Sequence, residues 1–139
     1  MFLKLKNCHN SNDFRRLAKQ RLPSSLFHYI DGGSDDEITL KRNTKAFDDC
    51  YLIPNVLASM DKVDLSTELF GTKMKLPFFL APTAMQRLFH HDGERAIARV
   101  AEREGIMVGV STIGTVSIEE LASITKGPKI FQLYIHKDK

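Results

Sequence analysis

The first part of the chain has a helical pattern of hydrophobic and polar positions. In "SNDFRRLAKQRL", Ser11 or Asn12 can cap a helix whose apolar face holds Phe14, Leu17 and Ala18. The pattern therefore predicts an amphipathic helix near the amino terminus.

Two more helices are predicted before residue 50. Pro23 suits the first turn of "PSSLFHYI", and Gly32 or Gly33 can end that helix. The stretch Ser34–Glu37, "SDDE", has the spacing of a capping box and predicts a third helix to about Phe47. Short strands are predicted further on, near "KVDLS" and "TKMKL".

The pattern changes at Pro77 to apolar runs separated by helical segments. "PFFLAP", "IMVGVS" and "KIFQLYI" are typical of buried strands. "DGERAIARVAERE" predicts an amphipathic helix that Asp92 caps and Gly105 ends, and the capping box "SIEE" at Ser117 predicts another helix to about Thr125. Strands joined by helices in this order indicate a parallel sheet covered by helices.

Composition excludes several classes of protein. The chain has 139 residues, which favours a single domain. Its net charge is +3, and the Lys and Arg residues are interleaved with acidic residues rather than clustered, so nucleic acid is not an expected partner. The longest apolar run, residues 76–81, is too short to span a bilayer, and the first residues do not form a secretion signal. Cys8 and Cys50 are expected to be free, reduced thiols, so we expect a cytoplasmic protein.

Polar side chains gather at the carboxyl end of each predicted strand. Neither strand-to-helix turn carries the glycine-rich phosphate fingerprint or a Walker lysine. One functional group at each strand end is instead typical of a (β/α)₈ barrel, which needs about 250 residues, so this chain would supply about three of the eight strands. The polar residues are Thr83, Gln86, Ser111, Thr112, Gln132 and Tyr134.

Four motifs carry a resemblance to a known family. "FHYIDGGSDDEITLKRN", "LPFFLAPTAMQ", "GVSTIGTVSIEEL" and "FQLYIHKDK" resemble, in order and spacing, the FMN-dependent 2-hydroxy-acid dehydrogenases and oxidases, which include L-lactate dehydrogenase, glycolate oxidase and flavocytochrome b2. The match runs from about Asp13 to Lys139. It implies an α/β fold: the N-terminal portion of a TIM barrel, as one partial domain over residues 1–139. Residues 11–60 would form a helical cap, and residues 76–139 would form the first barrel strands and helices.

The resemblance also implies a role for particular residues. Pro82, Thr83 and Ala84 match the loop whose backbone runs beside the flavin of FMN, and Ser111 and Gln132 match residues that hydrogen-bond it. Tyr29 matches a phenol facing the substrate carboxylate, and Tyr134 matches one facing its hydroxyl or carbonyl. Ile113 matches the position that contacts the substrate side chain, where an aliphatic residue is more similar to the lactate-oxidising members.

These residue types suit that chemistry, although each also has a plain structural interpretation. A glutamine amide donates and accepts, so it can pair with the carbonyls and N–H of a flavin, and a phenol is a neutral donor at pH 7. Tyr29, however, can be a packing residue with a wet hydroxyl, Ser111 and Thr112 can end a strand, and Gln132 can bond loop backbone.

A metal site is not expected. His90, His91, Asp92 and Glu94 form a group of possible ligands, but the two histidines are adjacent, which does not match the spacing of a helical zinc site, so a helix start with Asp92 as its cap is preferred. The stretch "DGGSDDE" lacks the ligand order of an EF-hand and indicates a helix stop followed by a helix start.

Two hypotheses of function remain open. In the first, the complete protein uses FMN to oxidise an L-2-hydroxy acid resembling L-lactate to the 2-oxo acid. In the second, the chain is a non-catalytic barrel fragment, because the resemblance places the catalytic histidine late in the barrel and none of the five histidines here matches it. The resemblance also implies homo-oligomers and a possible peripheral association with the inner face of a membrane.

Overall fold

The computed structural model describes residues 3–57, 61–135 and 137. The chain divides into two compact units, Met1–Ser59 and Met60–Lys139, which are described here one at a time. A single domain over residues 1–139 stays a prediction.

The first unit consists of short helices. A 3-10 turn at Leu5–Asn7 precedes α1 (Ser11–Arg21), α2 (Ser24–Asp31) and α3 (Ile38–Lys45). Leu17 of α1 and Phe27 of α2 are buried, and the Arg15 guanidinium donates to both carboxylate oxygens of Asp31 at 2.5 and 2.9 Å. One apolar contact region and one ion pair therefore hold α1 and α2.

Two helix starts in this unit differ from the prediction. Asn10, not Ser11 or Asn12, caps α1, because its side chain accepts from the Asp13 N–H. The stretch Ser34–Glu37 is not a capping box: α3 begins after it, and the Glu37 carboxylate accepts from the Gly33 N–H at 3.2 Å. Glu37 is itself the residue before α3 and has a φ of 58°, so the four residues form a turn that precedes the helix rather than its first turn.

The second unit begins with an antiparallel hairpin. Strand β1 (Thr67–Leu69) pairs with β2 (Thr72–Met74), so the strand predicted in "TKMKL" is confirmed. The one predicted in "KVDLS" is wrong: there the Ser66 N–H donates to the Asp64 carboxylate at 2.9 Å, which forms a local turn, and pairing starts at Thr67.

A parallel pair of strands joined by a helix follows. Helix α4 (Glu94–Glu104) leads to β3 (Val108–Ser111), and α5 (Ile118–Ile124) leads to β4 (Lys129–Gln132). Strands β3 and β4 are parallel, with Ser111 opposite Gln132. The strand–helix–strand order predicted for this part of the chain is confirmed, and the class is α/β.

The first predicted strand, "PFFLAP", is reduced to a single bridge. Leu80 pairs in parallel with Val108, its N–H donating to the Met107 carbonyl and its carbonyl accepting from the Gly109 N–H. The expectation of a buried strand is wrong, since Phe78 and Phe79 are 53% and 40% exposed. The flanking prolines lack N–H donors, which limits pairing to the residues between them.

The core of this unit lies between the helices and β3. One cluster joins α4, β3 and α5 through Ala98, Val110, Val116 and Leu121, with Ile124 packed against it. A second cluster joins α4 to the Leu80 bridge through Ala101, Ile106 and Val108, with Leu76, Leu80 and Ile97 at its edge.

Three of the four predicted helix ends in this unit are confirmed, among them the end of α5 at Ile124 with Thr125 as its C-cap. The Ser117 hydroxyl accepts from the Glu120 N–H and caps α5, and Gly105 ends α4 with a φ of 64°. Asp92 does not cap α4, because Gly93 takes that position and the Asp92 carboxylate pairs with Arg99 at 2.7 Å.

The outer face of β4 is exposed. As the third strand of a barrel, "KIFQLYI" predicts that Phe131 and Leu133 pack outward against helices. They are instead 49% and 63% exposed. Helices α4 and α5 pack on each other, and α4 also packs on β3, so the described helices leave these two side chains uncovered.

Among the described residues, no helix has the length and apolarity needed to cross a bilayer.

Glu102 of α4 fixes the loop that leads into β4. Its carboxylate accepts from the Thr125 hydroxyl at 2.5 Å and from the N–H groups of Lys126 and Gly127 at 2.9 and 3.0 Å. Hydrogen bonds from Thr125 and Gly127 hold the pKa of Glu102 below its ordinary value of 4.5.

We expect this carboxylate to make the stability of the second unit depend on pH. Since its folded pKa is lowered, its contribution is present above the ordinary pKa and is lost as the pH falls through the folded value. The urea midpoint should therefore fall between about pH 5 and pH 3, and Glu102→Gln should flatten that fall. Glu119→Gln, at an exposed position of α5, is the control; an equal flattening by both variants would contradict the assignment.

Candidate functional site

The centre of the site is a hydrogen-bonded pair at the carboxyl ends of β3 and β4. The Ser111 hydroxyl donates to Gln132 Oε1 at 3.2 Å and accepts from the Ile113 N–H at 3.2 Å. Ser111 is buried and Gln132 is half-buried. The parallel register places them side by side, because directly paired residues point to the same face of a sheet.

Thr112 connects the ends of the same two strands. Its hydroxyl donates to the Gln132 carbonyl at 2.5 Å and accepts from the Tyr134 N–H at 3.0 Å. This fixes the backbone of Tyr134 just beyond β4, while its side chain is about half exposed. The sequence signal for Thr112 was a second hydroxyl at the strand end, but its bridging role depends on the register.

Gly109 allows the segment after the Leu80 bridge to pass close to β3. A Cβ at Gly109 would lie 2.5 Å from both the nitrogen and Cδ of Pro82, and 2.9 Å from the Leu80 carbonyl oxygen. Gly109 is two residues before Ser111, so its bare face and the Ser111 side chain lie on the same side of β3. Pro82 therefore passes over the sheet next to the site centre. Gly109 was not among the predicted site residues, although a glycine inside "IMVGVS" is a known sign of close backbone approach.

The segment Pro82–Thr83–Ala84 presents backbone donors. Gln86 Nε2 donates to the Thr83 hydroxyl at 2.6 Å and to the Thr83 carbonyl at 3.2 Å, so that hydroxyl is already engaged. Within the described part of the chain, the N–H groups of Thr83 and Ala84 donate to no carbonyl or side chain. The next N–H, of Met85, donates to the Ile113 carbonyl at 3.0 Å.

The donor set fits the flavin of FMN. Gln132 gives its Oε1 to Ser111, and its Nε2 has no hydrogen-bond partner among residues 3–57, 61–135 and 137. An amide N–H₂ at that place is complementary to a carbonyl oxygen, and the N–H groups of Thr83 and Ala84 add donors of the same kind. The residues in this structure thus match the hydrogen-bonding needs of an isoalloxazine edge.

The remaining predicted site residues lie in different places. Ile113 follows β3 in the second unit and is 46% exposed, next to the Ser111 hydroxyl that accepts from its N–H. Tyr29 lies on α2 in the first unit, and its side chain is mostly exposed. The structure brings together Ser111, Ile113, Gln132 and the backbone of Tyr134, and a role for Tyr29 beside them stays a prediction.

A cluster of possible metal ligands lies before α4. Ligand atoms of His90, His91 and Asp92 are all within 4.8 Å of one another. Part of this set is already engaged, since Asp92 Oδ2 accepts from Arg99 and His90 Nδ1 accepts from the Asp92 N–H at 3.2 Å. We assign no metal to this cluster.

Comparison with known proteins adds an independent line of evidence. A family model described as "FMN-dependent dehydrogenase" matches residues 18–139. Glycolate oxidase 1 of Oryza sativa subsp. indica is 40% identical over 130 residues, which are 94% of this chain and 35% of that protein. L-lactate dehydrogenase of Vibrio parahaemolyticus is 46% identical over 129 residues, which are 93% of this chain and 34% of that protein.

The fold of this chain is also similar to that of a solved crystal structure. A crystal structure of mandelate oxidase with 3,3-difluoro-2-hydroxy-3-phenylpropionic acid superposes with a TM-score of 0.83 at 38% identity, covering 91% of this chain and 38% of that one. This chain thus spans about a third of the length of the curated relatives it matches.

Proposed function

The chain belongs to the FMN-dependent dehydrogenase family, whose cofactor is FMN, and on that premise we propose that the complete protein oxidises an L-2-hydroxy acid resembling L-lactate to the 2-oxo acid. The observation that carries the proposal is the Ser111–Gln132 pair at the carboxyl ends of two parallel strands. In a TIM barrel the site is built at that end of the strands, and we propose that the Leu80 bridge, β3 and β4 are the first three strands of such a barrel.

We assign the flavin contacts to residues around that pair. Gln132 Nε2 donates to the pyrimidine edge, and the Ser111 hydroxyl orients the amide by donating to its Oε1. The N–H groups of Thr83 and Ala84 donate to the ring from the segment that Pro82 carries over β3. Bound FMN supplies the two-electron acceptor for the oxidation.

Two residues of the second unit are assigned to the substrate. The Tyr134 phenol, at the exposed end of β4, donates to the substrate hydroxyl and to the carbonyl that replaces it. Ile113 contacts the substrate side chain, and its aliphatic character favours lactate over an acid that needs an aromatic contact. The family resemblance further predicts that Tyr29 contacts the substrate carboxylate, that the complete protein forms homo-oligomers and that it associates peripherally with a membrane. The two reduced cysteines predict a cytoplasmic location.

A chimera tests this function. Residues 1–139 replace the matching part of the Vibrio parahaemolyticus L-lactate dehydrogenase, with which this chain is 46% identical. We expect the chimera to purify with FMN and to reduce a dye with L-lactate faster than with glycolate. The 139-residue chain alone should reduce no dye, because none of its histidines matches the base. A chimera that holds FMN but oxidises neither acid would contradict the proposal.

Gln132→Glu keeps the hydrogen-bond acceptor of the amide and removes its donor. The carboxylate still accepts from the Ser111 hydroxyl but has no N–H to donate to a flavin carbonyl. We expect FMN to bind the chimera at least about tenfold more weakly, measured by flavin fluorescence titration of the apoprotein. Gln20→Glu, at an exposed position of α1, is the matched control, and equal affinities for FMN in the two variants would refute the Gln132 assignment.

A further inference from the structure

Glu94 is a buried carboxylate that does not contact the Ser111–Gln132 pair. It is the first residue of α4 and is 5% exposed. Its Oε1 accepts from the Thr115 N–H at 2.8 Å and its Oε2 accepts from the Thr115 hydroxyl at 2.6 Å. A buried carboxylate is costly unless both oxygens are bonded. Here Thr115 bonds both, and the backbone N–H groups of Gln86 and of Glu94 itself add to these bonds.

The same threonine connects Glu94 to the segment before α4. The Arg87 N–H donates to the Thr115 hydroxyl at 3.2 Å, so the hydroxyl accepts from one segment and donates to the carboxylate. A Cβ at Gly93 would lie 2.5 Å from Arg87 Cγ, so the residue before Glu94 also packs closely on Arg87. Thr115 thus closes a chain of hydrogen bonds from Arg87 to Glu94.

These contacts join the two loops that carry the site. The first loop, residues 81–93, holds Thr83 and Ala84, and the second, residues 112–116, holds Ile113. Besides the Glu94 contacts, the Met85 N–H donates to the Ile113 carbonyl at 3.0 Å. The position of Ile113 relative to Thr83 and Ala84 therefore depends on how firmly the loops are held together.

We infer that Glu94 is a positioning residue that locks Ile113 against the Thr83–Ala84 segment. Both of its oxygens accept, which favours the ionised form, and its place in the first turn of α4 favours a negative charge as well. Burial is the largest effect and raises the pKa of Glu94, but the hydrogen bonds from Thr115, from its own N–H and from the Gln86 N–H together outweigh it and leave the pKa below the ordinary value. The consequence for substrate choice rests on the function proposed above, whereas the lock between the loops does not.

Glu102 offers a matched control on the same helix. It too accepts from a threonine hydroxyl and from backbone N–H groups, but at residues 125–127, before β4. Glu94→Gln and Glu102→Gln therefore remove similar bonds at opposite ends of α4. A general loss of stability would affect both loops in both variants, whereas a lock predicts that each variant loosens its own loop.

Amide hydrogen exchange of the 139-residue chain tests the inference. In Glu94→Gln, the amides of Met85, Arg87 and Thr115 should exchange about tenfold faster, while those of 126 and 127 keep the wild-type rate. Glu102→Gln should give the reverse. Unchanged exchange at Met85 and Arg87 in Glu94→Gln, or equal acceleration of both loops by either variant, would overturn the proposal.

Variants of Thr115 give a second measurement if Glu94→Gln does not fold. Thr115→Val removes the hydroxyl and should accelerate exchange at Arg87, whereas Thr115→Ser keeps the hydroxyl and should restore the wild-type rate. Failure of the serine variant to restore protection would overturn the proposal.

In the lactate dehydrogenase chimera, Glu94→Gln should change the ratio of kcat/KM for L-lactate over glycolate at least about threefold, because Ile113 shifts, while Glu102→Gln leaves it unchanged. An unchanged ratio in an active Glu94→Gln chimera would count against the inference. If the wild-type chimera oxidises neither acid, the exchange rates still decide on Glu94, and the proposed function alone fails.

Discussion

Gly109→Ala is expected to lower the unfolding free energy of the second unit by about 3 kcal/mol or more. The new Cβ would lie 2.5 Å from two Pro82 atoms and 2.9 Å from the Leu80 carbonyl oxygen. These neighbours are backbone and ring atoms that cannot rotate aside, so the Leu80 bridge must move away from β3. Most single domains are stable by only about 5–15 kcal/mol, so the loss is large. Urea denaturation followed by far-ultraviolet circular dichroism measures it.

Gly71→Ala is the matched control for this variant. Gly71 lies in the β1–β2 turn with a φ of 71°, and a Cβ there would meet nothing within 4 Å. Its cost is therefore backbone strain alone, about 1 kcal/mol. If the two alanine variants lose the same stability, close packing of Pro82 over Gly109 is not the reason for the glycine. In the lactate dehydrogenase chimera, Gly109→Ala should also weaken FMN binding, because it displaces Thr83 and Ala84.

Leu121→Ala is expected to destabilise the same unit by about 3 kcal/mol. Leu121 is 2% exposed and packs with Ala98, Val110 and Val116, so its truncation leaves a cavity between α4, α5 and β3. Val110 precedes Ser111, and the cavity therefore lies directly behind the centre of the site. The measurement is again the urea midpoint, combined with the slope of the transition as a check on two-state unfolding.

Ile118→Ala on the same helix separates packing from helix propensity. Ile118 is about half exposed, and its truncation should change the unfolding free energy by no more than about 0.5 kcal/mol. A loss at Ile118 as large as that at Leu121 would mean that α5 is stabilised by its outer face, contrary to the observed core.

Local sequence patterns predicted the elements that depend on nearby residues. The end of α4 at Gly105 and the Ser117 cap of α5 are set within a few residues of the chain, and the structure has both. The stripe predicted for α4, Ala96, Ile97, Val100 and Ala101, is confirmed only in part, because Val100 is 38% exposed and Ala98 is buried instead. The alternation in "KIFQLYI" and the hydroxyl that ends "IMVGVS" likewise placed Gln132 and Ser111 at the ends of β4 and β3. Their hydrogen bond required the register, which the sequence pattern does not contain.

The errors arise where a side chain of the expected type has another partner, or where strand pairing stops early. Glu37 and Asp92 are residue types that favour helix starts, but their carboxylates accept hydrogen bonds from the Gly33 N–H and the Arg99 guanidinium instead. The apolar run at Phe78 and Phe79 predicts burial, yet pairing reaches only Leu80 between the two prolines. The contact of Glu94 with Thr115 was not predicted, because the two residues lie 21 positions apart in the chain.

The hydrogen bonds that organise the second unit also bear on the order in which it folds. Ser111 to Gln132 spans 21 residues, Glu94 to Thr115 spans 21, and Glu102 to Gly127 spans 25. Closing loops of such similar length carries similar entropy costs, since each doubling adds only about 0.6 kcal/mol. Each strand–helix segment can thus dock on the one made before it, so the Ser111–Gln132 pair should form on the ribosome as soon as β4 emerges.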